Sequence, residues 1–157
     1  MERTYSYQLE VEWTGNKGSG TKTYAGYERS HQIKVDGKPV IEGSADPTFR
    51  GDVTKHNPEE LFLSSISSRH MLWNLHLCAE AGVIVQHDVD KAEGIMQETS
   101  NGGGEFVNVT LKPQVQVKEQ TMIEQAKHLH KKANELCFIA NSLTFSVIHE
   151  PEVFVLD

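Results

Sequence analysis

The sequence has few cysteines and no long apolar segment. Two cysteines in 157 residues are too few for the disulfide framework that stabilises many small secreted proteins. No apolar run approaches the roughly 20 residues of a membrane-spanning helix, and the first residues lack the apolar segment of a signal peptide. We therefore expect a soluble, cytoplasmic protein without a membrane partner.

Basic residues are also in the minority. Lys and Arg number 15 against 22 Asp and Glu, which gives a net charge of −7. Because an acidic chain without a basic run binds polyanions poorly, we expect no nucleic-acid partner. The length suits a single domain over residues 1–157, which would bury roughly two-thirds of the surface of the unfolded chain.

The usual motifs of metal and hydrolase sites are missing. No Gly-x-Ser-x-Gly turn is present, and the eight histidines lack the spacing of metal ligands. His128 and His130 are two residues apart on a predicted helix, and His70 and His76 are six apart, so each pair points to different faces. We therefore expect no metal site, no cofactor, and histidines that are solvated or hydrogen-bonded.

The first part of the chain predicts three strands. Residues 5–13 alternate apolar and polar side chains, which is the period of a strand with one buried face. A second strand is expected over 30–35 and a third over 38–42, joined by a tight turn at Asp36-Gly37. Residues 43–56 show little periodicity and are expected to form a loop.

A long helix is predicted from Asn57 to Ala81. Asn57 can accept hydrogen bonds from the first helical amides, Pro58 suits the first helical position, and Glu60 completes a capping box. The segment is apolar around most of its circumference, so we expect it at the centre of the core. Gly82 is expected to end it.

The second half predicts two long strands, a helix and a final strand. The strands cover about 84–98 and 105–117, with a glycine-rich turn at 100–104 between them. The helix covers about 119–136, and the last strand covers 144–148. Strands and helices do not alternate strictly in the order βββ-α-ββ-α-β, which indicates an α+β fold.

One cysteine falls on a predicted helix and the other at the end of one. Cys78 lies late in the first helix. Cys137 lies at the end of the second helix, four residues after Ala133, and continues the packed face of that helix. Buried thiols in apolar surroundings are usually unreactive, so residue type alone favours a packing role for both.

Two segments resemble the OsmC/Ohr family of thiol-dependent hydroperoxide reductases. The first is Asn-Pro-Glu-Glu-Leu at 57–61, followed by a serine-rich apolar helix and by His-Leu-Cys-Ala-Glu-Ala-Gly-Val at 76–83. The second is Ala-Asn-Glu-Leu-Cys-Phe-Ile-Ala-Asn-Ser-Leu at 133–143, which is similar to the family's second-cysteine segment. The resemblance implies an OsmC-like fold, with antiparallel sheets around two helices, and an intertwined homodimer.

The resemblance also implies a two-cysteine reaction. In that family a thiolate attacks the peroxide and becomes a sulfenic acid, a second cysteine condenses with it, and an external dithiol reduces the disulfide. Carried over to this sequence, Cys137 is the second, resolving cysteine. Glu59, or Glu60, would hold an arginine beside the peroxide, and that arginine would be Arg50, with Arg29 as the alternative.

The resemblance also implies a peroxidatic cysteine directly before His70, and this sequence has Arg69 there. A guanidinium stays protonated and has no available lone pair, so it cannot attack a peroxide. Cys78 lies nine residues further on, about half a helical turn around, and should face away from this position. We expect Arg69, His70 and Trp73 to line the substrate pocket, with a carboxylate, such as Glu59 or Glu60, an anion or a water beside the arginine.

Three hypotheses remain open for function. The chain is a family member that has lost two-cysteine turnover and binds a small molecule or anion, a peroxidase scaffold substituted at position 69, or a structural interaction domain. The expected partners are a second copy of the chain, a small hydroperoxide or small anion, and an external dithiol if the chain is active. Turnover of an organic hydroperoxide before and after Arg69→Cys separates the three.

Overall fold

The computed structural model describes residues 2–157. Within them the chain forms an α+β fold with two α-helices, α1 (Pro58–Ala81) and α2 (Ile123–Leu136). The strands, in chain order, are β1 (Glu10–Trp13), β2 (His31–Lys34), β3 (Ile41–Gly43), β4 (Val85–Asp90), β5 (Glu93–Glu98), β6 (Gly104–Leu111), β7 (Pro113–Val117), β8 (Val147–His149) and β9 (Glu152–Phe154).

The chain divides into two compact units, Met1–Leu61 and Phe62–Asp157, and the boundary falls inside α1. The first unit contains the antiparallel sheet β1-β2-β3. The second contains two three-stranded sheets, β4-β7-β9 and β5-β6-β8, together with α2. A single domain over residues 1–157 therefore remains a prediction.

The first strand is shorter and more exposed than its sequence pattern predicts. Only Glu10–Trp13 is paired, and all four of its residues are exposed, so the expectation of a buried face over 5–13 is wrong for this chain. The hairpin between β2 and β3 is confirmed, because the Lys38 amide donates to the Val35 carbonyl at 3.0 Å. Only Gly37 takes a positive φ there, 75°, which a glycine adopts without strain.

Helix α1 begins and ends where its capping residues predict. The Glu60 amide donates to Asn57 Oδ1 at 2.9 Å and the Asn57 amide donates to Glu60 Oε1 at 3.0 Å, which is a complete capping box. Gly82 follows the helix with φ 74°. Although the helix is apolar around its circumference, only one face is buried in this chain. The buried positions are Ile66, His70, Asn74, Leu77 and Cys78.

Each of the two long strands expected after α1 is divided into two. Pro113 has no amide hydrogen to continue the ladder, and the Lys112 amide instead donates to Asp90 Oδ1 at 2.7 Å. The chain therefore changes sheet between β6 and β7. It also changes sheet between β4 and β5. The sheets are also mixed rather than purely antiparallel, since β8 pairs with β6 and β9 pairs with β7 in parallel.

Two apolar clusters in the second unit hold α1 and α2 against these sheets. The first joins the end of α1 to β7, β9 and α2, and the second joins the earlier part of α1 to β6 and β8. The alternation predicted for the central strands is confirmed at its buried positions, which are Val109, Leu111, Val115 and Val117. Across the described part of the chain, neither helix combines the length and apolar character that crossing a bilayer requires.

Candidate functional site

A cavity of about 250 Å³ lies along α1 and is lined by Arg69, Leu72, Trp73 and His76. These four residues, which we call the Arg69 pocket, follow the spacing i, i+3, i+4 and i+7. Residues at this spacing lie on one face of a helix, so the helix alone brings them together. The pocket contains one permanent cation and otherwise mainly aromatic and aliphatic side chains.

The Arg69 guanidinium is held by aromatic rings. Its Cζ lies 4.7 Å from the centre of the Phe138 ring and 5.9 Å from that of Trp73. The Phe138 and Trp73 rings meet edge to face with centres 6.0 Å apart. A guanidinium on an aromatic face is stabilised by about 0.5–1 kcal/mol at an exposed site. Within residues 62–157 its N–H groups have no carboxylate at ion-pair distance.

Contact with Phe138 places Arg69 beside the second-cysteine segment, because Phe138 directly follows Cys137. Cys137 caps the C-terminal end of α2, with its amide hydrogen-bonded to the Asn134 carbonyl at 3.4 Å. Its side chain is 1% exposed and its thiol is free. The structure thus brings together position 69 and the segment of Cys137, but it buries the sulfur.

Cys78 lies elsewhere in the second unit. It is buried in the cluster formed by the end of α1, β7, β9 and α2, and it borders a different, mainly apolar cavity. Burial, with a smaller contribution from the negative charge of Asp88, raises the pKa of the Cys78 thiol to about 11. Since only the thiolate is nucleophilic, Cys78 is unreactive near neutral pH.

His70 is directed away from the Arg69 pocket and into the core. It is 2% exposed, and its Nε2 lies 3.0 Å from Nδ1 of His130, which is 1% exposed. The ring of His149 lies 4.5 Å from that of His70. We call these three side chains the histidine cluster. The sequence predicts that Arg69, His70 and Trp73 line the substrate pocket. The structure places Arg69 and Trp73 at the Arg69 pocket but not His70.

Burial disfavours the charged form of every member of the histidine cluster. It lowers the pKa of His70 to about 3 and that of His130 to about 4, helped in both cases by the neighbouring His149. Burial also lowers the pKa of His149, against an opposing effect of Asp90. Neutral imidazoles fit the contact between the first two rings, since one nitrogen must donate and the other accept.

The remaining predicted site residues lie in the first unit. Glu60 is used by the capping box, and Glu59 is the half-buried residue before it. Arg50 is exposed and takes a positive φ of 64° after a short 3-10 turn. Arg29 donates to the carbonyls of Tyr27 and Tyr24 and stacks on both rings, so its own loop holds it. A role for Glu59, Glu60, Arg50 or Arg29 beside Arg69 stays a prediction.

Several residues of these sites were not anticipated from the sequence. Leu72 and His76 could have been found from their helical spacing to Arg69, whereas the contact with Phe138 depends on tertiary packing. The histidine cluster joins α1, α2 and β8, so the spacing of histidines along one element could not show it. Within residues 2–157, the metal-binding side chains do not form a group of three that could hold an ion.

Residues 51–152 match the family described as OsmC-like protein. The chain belongs to this family. A similar solved structure is that of an OsmC-like protein of unknown function from Vibrio cholerae, with 32% sequence identity and a TM-score of 0.83. The similarity covers 95% of this chain and 100% of that one. No curated protein matches the chain significantly.

Two organic hydroperoxide resistance proteins share the OsmC-like fold at lower identity. The protein from Elizabethkingia anophelis, solved with crystallant-derived thiocyanate bound, has 19% identity and a TM-score of 0.67, over 97% of this chain and 100% of that chain. OhrB of Bacillus subtilis has 19% identity and a TM-score of 0.62, over 93% and 98% of the two chains. At these identities the similarity concerns the fold alone.

Proposed function

We propose that this OsmC-like protein has lost two-cysteine hydroperoxide turnover and that its Arg69 pocket binds a small anion. One observation carries the proposal: at the position of the expected nucleophile, a guanidinium lines the cavity with no carboxylate of its unit at ion-pair distance. A guanidinium cannot form a sulfenic acid, but its planar donors suit an anionic ligand.

The two cysteines support the loss of turnover. Both thiols are buried and unpaired in the structure. The pKa of Cys78 is raised, which removes the thiolate, and Cys137 has no second cysteine across the Arg69 pocket with which to form a disulfide. If either sulfur were oxidised, it could not form a disulfide with the other cysteine. A two-cysteine enzyme is regenerated by reduction of that disulfide.

The test is consumption of an organic hydroperoxide in the presence of an external dithiol. We expect the unmodified protein to show no consumption above that of the dithiol alone, and Arg69→Cys to show catalytic consumption. Arg69→Ser is the matched control, since it opens the pocket equally but adds no thiol. Turnover by the unmodified protein would overturn the proposal.

Anion binding is tested separately with thiocyanate, a small anion found in the structure of the Elizabethkingia anophelis protein. We expect chemical-shift changes in the Trp73 side chain on addition of thiocyanate, and their loss in Arg69→Gln. Unchanged binding in that variant would refute the role of the arginine.

We also propose that the chain forms the homodimer its family resemblance implies. Large apolar side chains at every second position from Tyr5 to Trp13 are exposed on the described chain. Exposed apolar surface of this kind favours an interface that covers it. Sedimentation at the mass of a single 17.6 kDa chain would contradict this assembly.

A further inference from the structure

The histidine cluster joins α1 to α2 through one shared hydrogen. His70 Nε2 on α1 lies 3.0 Å from His130 Nδ1 on α2, and both rings are buried. Two ring nitrogens at this distance form a hydrogen bond only when one of them carries a hydrogen and the other does not. When both rings are protonated, two N–H groups face each other and the hydrogen bond between the helices is lost.

The surroundings of the cluster provide no counter-charge for two protonated rings. Within the described part of the chain, His70 Nδ1 and His130 Nε2 are buried without a hydrogen-bond partner. The titratable groups that act on these two rings are each other and His149 of β8, and Asp90 of β4 acts on His149. Asp90 Oδ2 already accepts a hydrogen bond from Ser67 Oγ at 2.5 Å. Because a buried charge without a partner is costly, the rings take up protons only when they move apart and meet water.

Helix α2 is the element that can move. It has 14 residues, a length at which an isolated helix is marginal in water, and within residues 2–157 no side chain caps its first turn. By contrast, α1 has 24 residues and a complete capping box. The buried residues of α2 are Ala126, Leu129, His130 and Ala133. Leu129 and His130 are the large side chains of this face, so the contact of His130 with His70 contributes much to holding α2 in place.

We propose that the histidine cluster is an acid-sensitive latch, whose protonation releases α2 from α1 while the strands of the second unit stay paired. Cys137 follows α2 and is seven residues after His130, so the two side chains lie on the same face. The sulfur of Cys137 is buried when α2 is in place. Release of α2 uncovers this thiol, and deprotonation of the cluster returns α2 and covers the thiol again. The latch is independent of anion binding at the Arg69 pocket.

Hydrogen exchange of the full chain, followed by NMR between pH 5.5 and pH 4.5, tests the latch. A histidine that is neutral in place and titrates near pH 6.5 when released raises the opening constant about tenfold for each unit by which the pH falls. His70 and His130 together should therefore lower the protection of the α2 amides about 100-fold per unit, after correction for the intrinsic exchange rate. The amides of β6 and β7 should stay better protected than those of α2 throughout. Equal protection of both at every pH would refute the latch, because the unit would then open only as a whole.

A pair of histidine variants on α2 tests whether the cluster causes the release. His130→Gln removes one titrating ring and should make the pH dependence of α2 exchange about tenfold weaker per unit. His128→Gln, which changes an exposed histidine of the same helix, should leave that dependence as it is. The same pH dependence in the two variants would overturn the role of the histidine cluster.

Labelling of Cys137 tests the latch without any change to the cluster. In Cys78→Ala, Cys137 is the one remaining thiol, and 4,4′-dithiodipyridine reacts with accessible thiols in acid as well as at neutral pH. We expect the labelling rate, relative to that of free cysteine, to be more than about tenfold higher at pH 4.5 than at pH 7, while circular dichroism still shows a folded chain. Equal relative rates at the two pH values, or labelling only after the circular dichroism signal is lost, would contradict the latch.

Discussion

The histidine cluster makes the stability of the fold sensitive to acid. In the unfolded chain a histidine titrates near pH 6.5, whereas burial lowers the pKa of His70 to about 3 and that of His130 to about 4. Between these values the unfolded state binds protons that the folded state does not. The stability that the two neutral histidines contribute is therefore fully present above pH 6.5. This contribution is lost as the pH falls towards the pKa values of the folded state.

The magnitude follows from linkage. For each unit by which the pH falls, each of these histidines lowers the free energy of unfolding by about 1.4 kcal/mol. Together, His70 and His130 lower it by roughly 2.7 kcal/mol per unit. Asp88 acts in the opposite direction. Burial raises the pKa of Asp88 to about 6, so just below that pH the folded state binds a proton that the unfolded state does not. The free energy of unfolding therefore gains about 1.4 kcal/mol from Asp88 for each unit by which the pH falls. From His70, His130 and Asp88 the net loss between pH 6 and pH 4 is about 3 kcal/mol. The lowered pKa of His149 acts in the same direction as those of the other two histidines.

The assay is urea unfolding, followed by circular dichroism, at pH values from 7 to 4 with ionic strength and protein concentration held constant. His130→Gln should lower stability at neutral pH but flatten its dependence on pH, because one of the histidines that titrate on unfolding is gone. His128→Gln is the matched control on the same helix, since His128 is exposed. The reasoning is refuted if stability is constant or rises from pH 6 to pH 4, or if the two variants show the same slope.

Three further outcomes follow from burial and capping. Cys78 and Cys137 should resist alkylation in the native protein and react readily in urea, and rapid labelling of either native thiol would contradict their burial. Asn57→Ala should cost about 1 kcal/mol of unfolding free energy, because it removes the side-chain half of the capping box, and no loss would count against that cap. Leu111→Ala should cost about 2–5 kcal/mol, whereas Val107→Ala, at a position 40% exposed, should cost much less; equal costs would be inconsistent with the packing described.

Local chemistry made much of the fold predictable. The start of α1 was readable because Asn57, Pro58 and Glu60 determine it through contacts only three residues apart. The division of the long strands was missed, although the Lys112-Pro113 step could have indicated it. The parallel pairing of β8 and β9 was not readable, because it joins segments far apart in the chain and no local pattern encodes it.

The candidate site was predictable only in part, for the same reason. Position 69 was singled out by the resemblance, whose pattern has a cysteine directly before His70, and the structure places Arg69 at a cavity. The direction of His70 could not be predicted, since α1 has apolar residues on all sides and its sequence does not show which face is buried. Only packing against α2 and β8 decides that His70 meets His130 and His149.

The central claim is that a guanidinium stands where the family's reactive sulfur is expected, and hydroperoxide turnover with a dithiol tests it most directly. The account predicts no turnover by the unmodified protein, turnover by Arg69→Cys, and its loss again when Cys137→Ser is added to that variant. Dithiol-dependent turnover by the unmodified protein would contradict the account. So would an Arg69→Cys variant that is folded and inactive, because position 69 would then not be the place of the missing nucleophile.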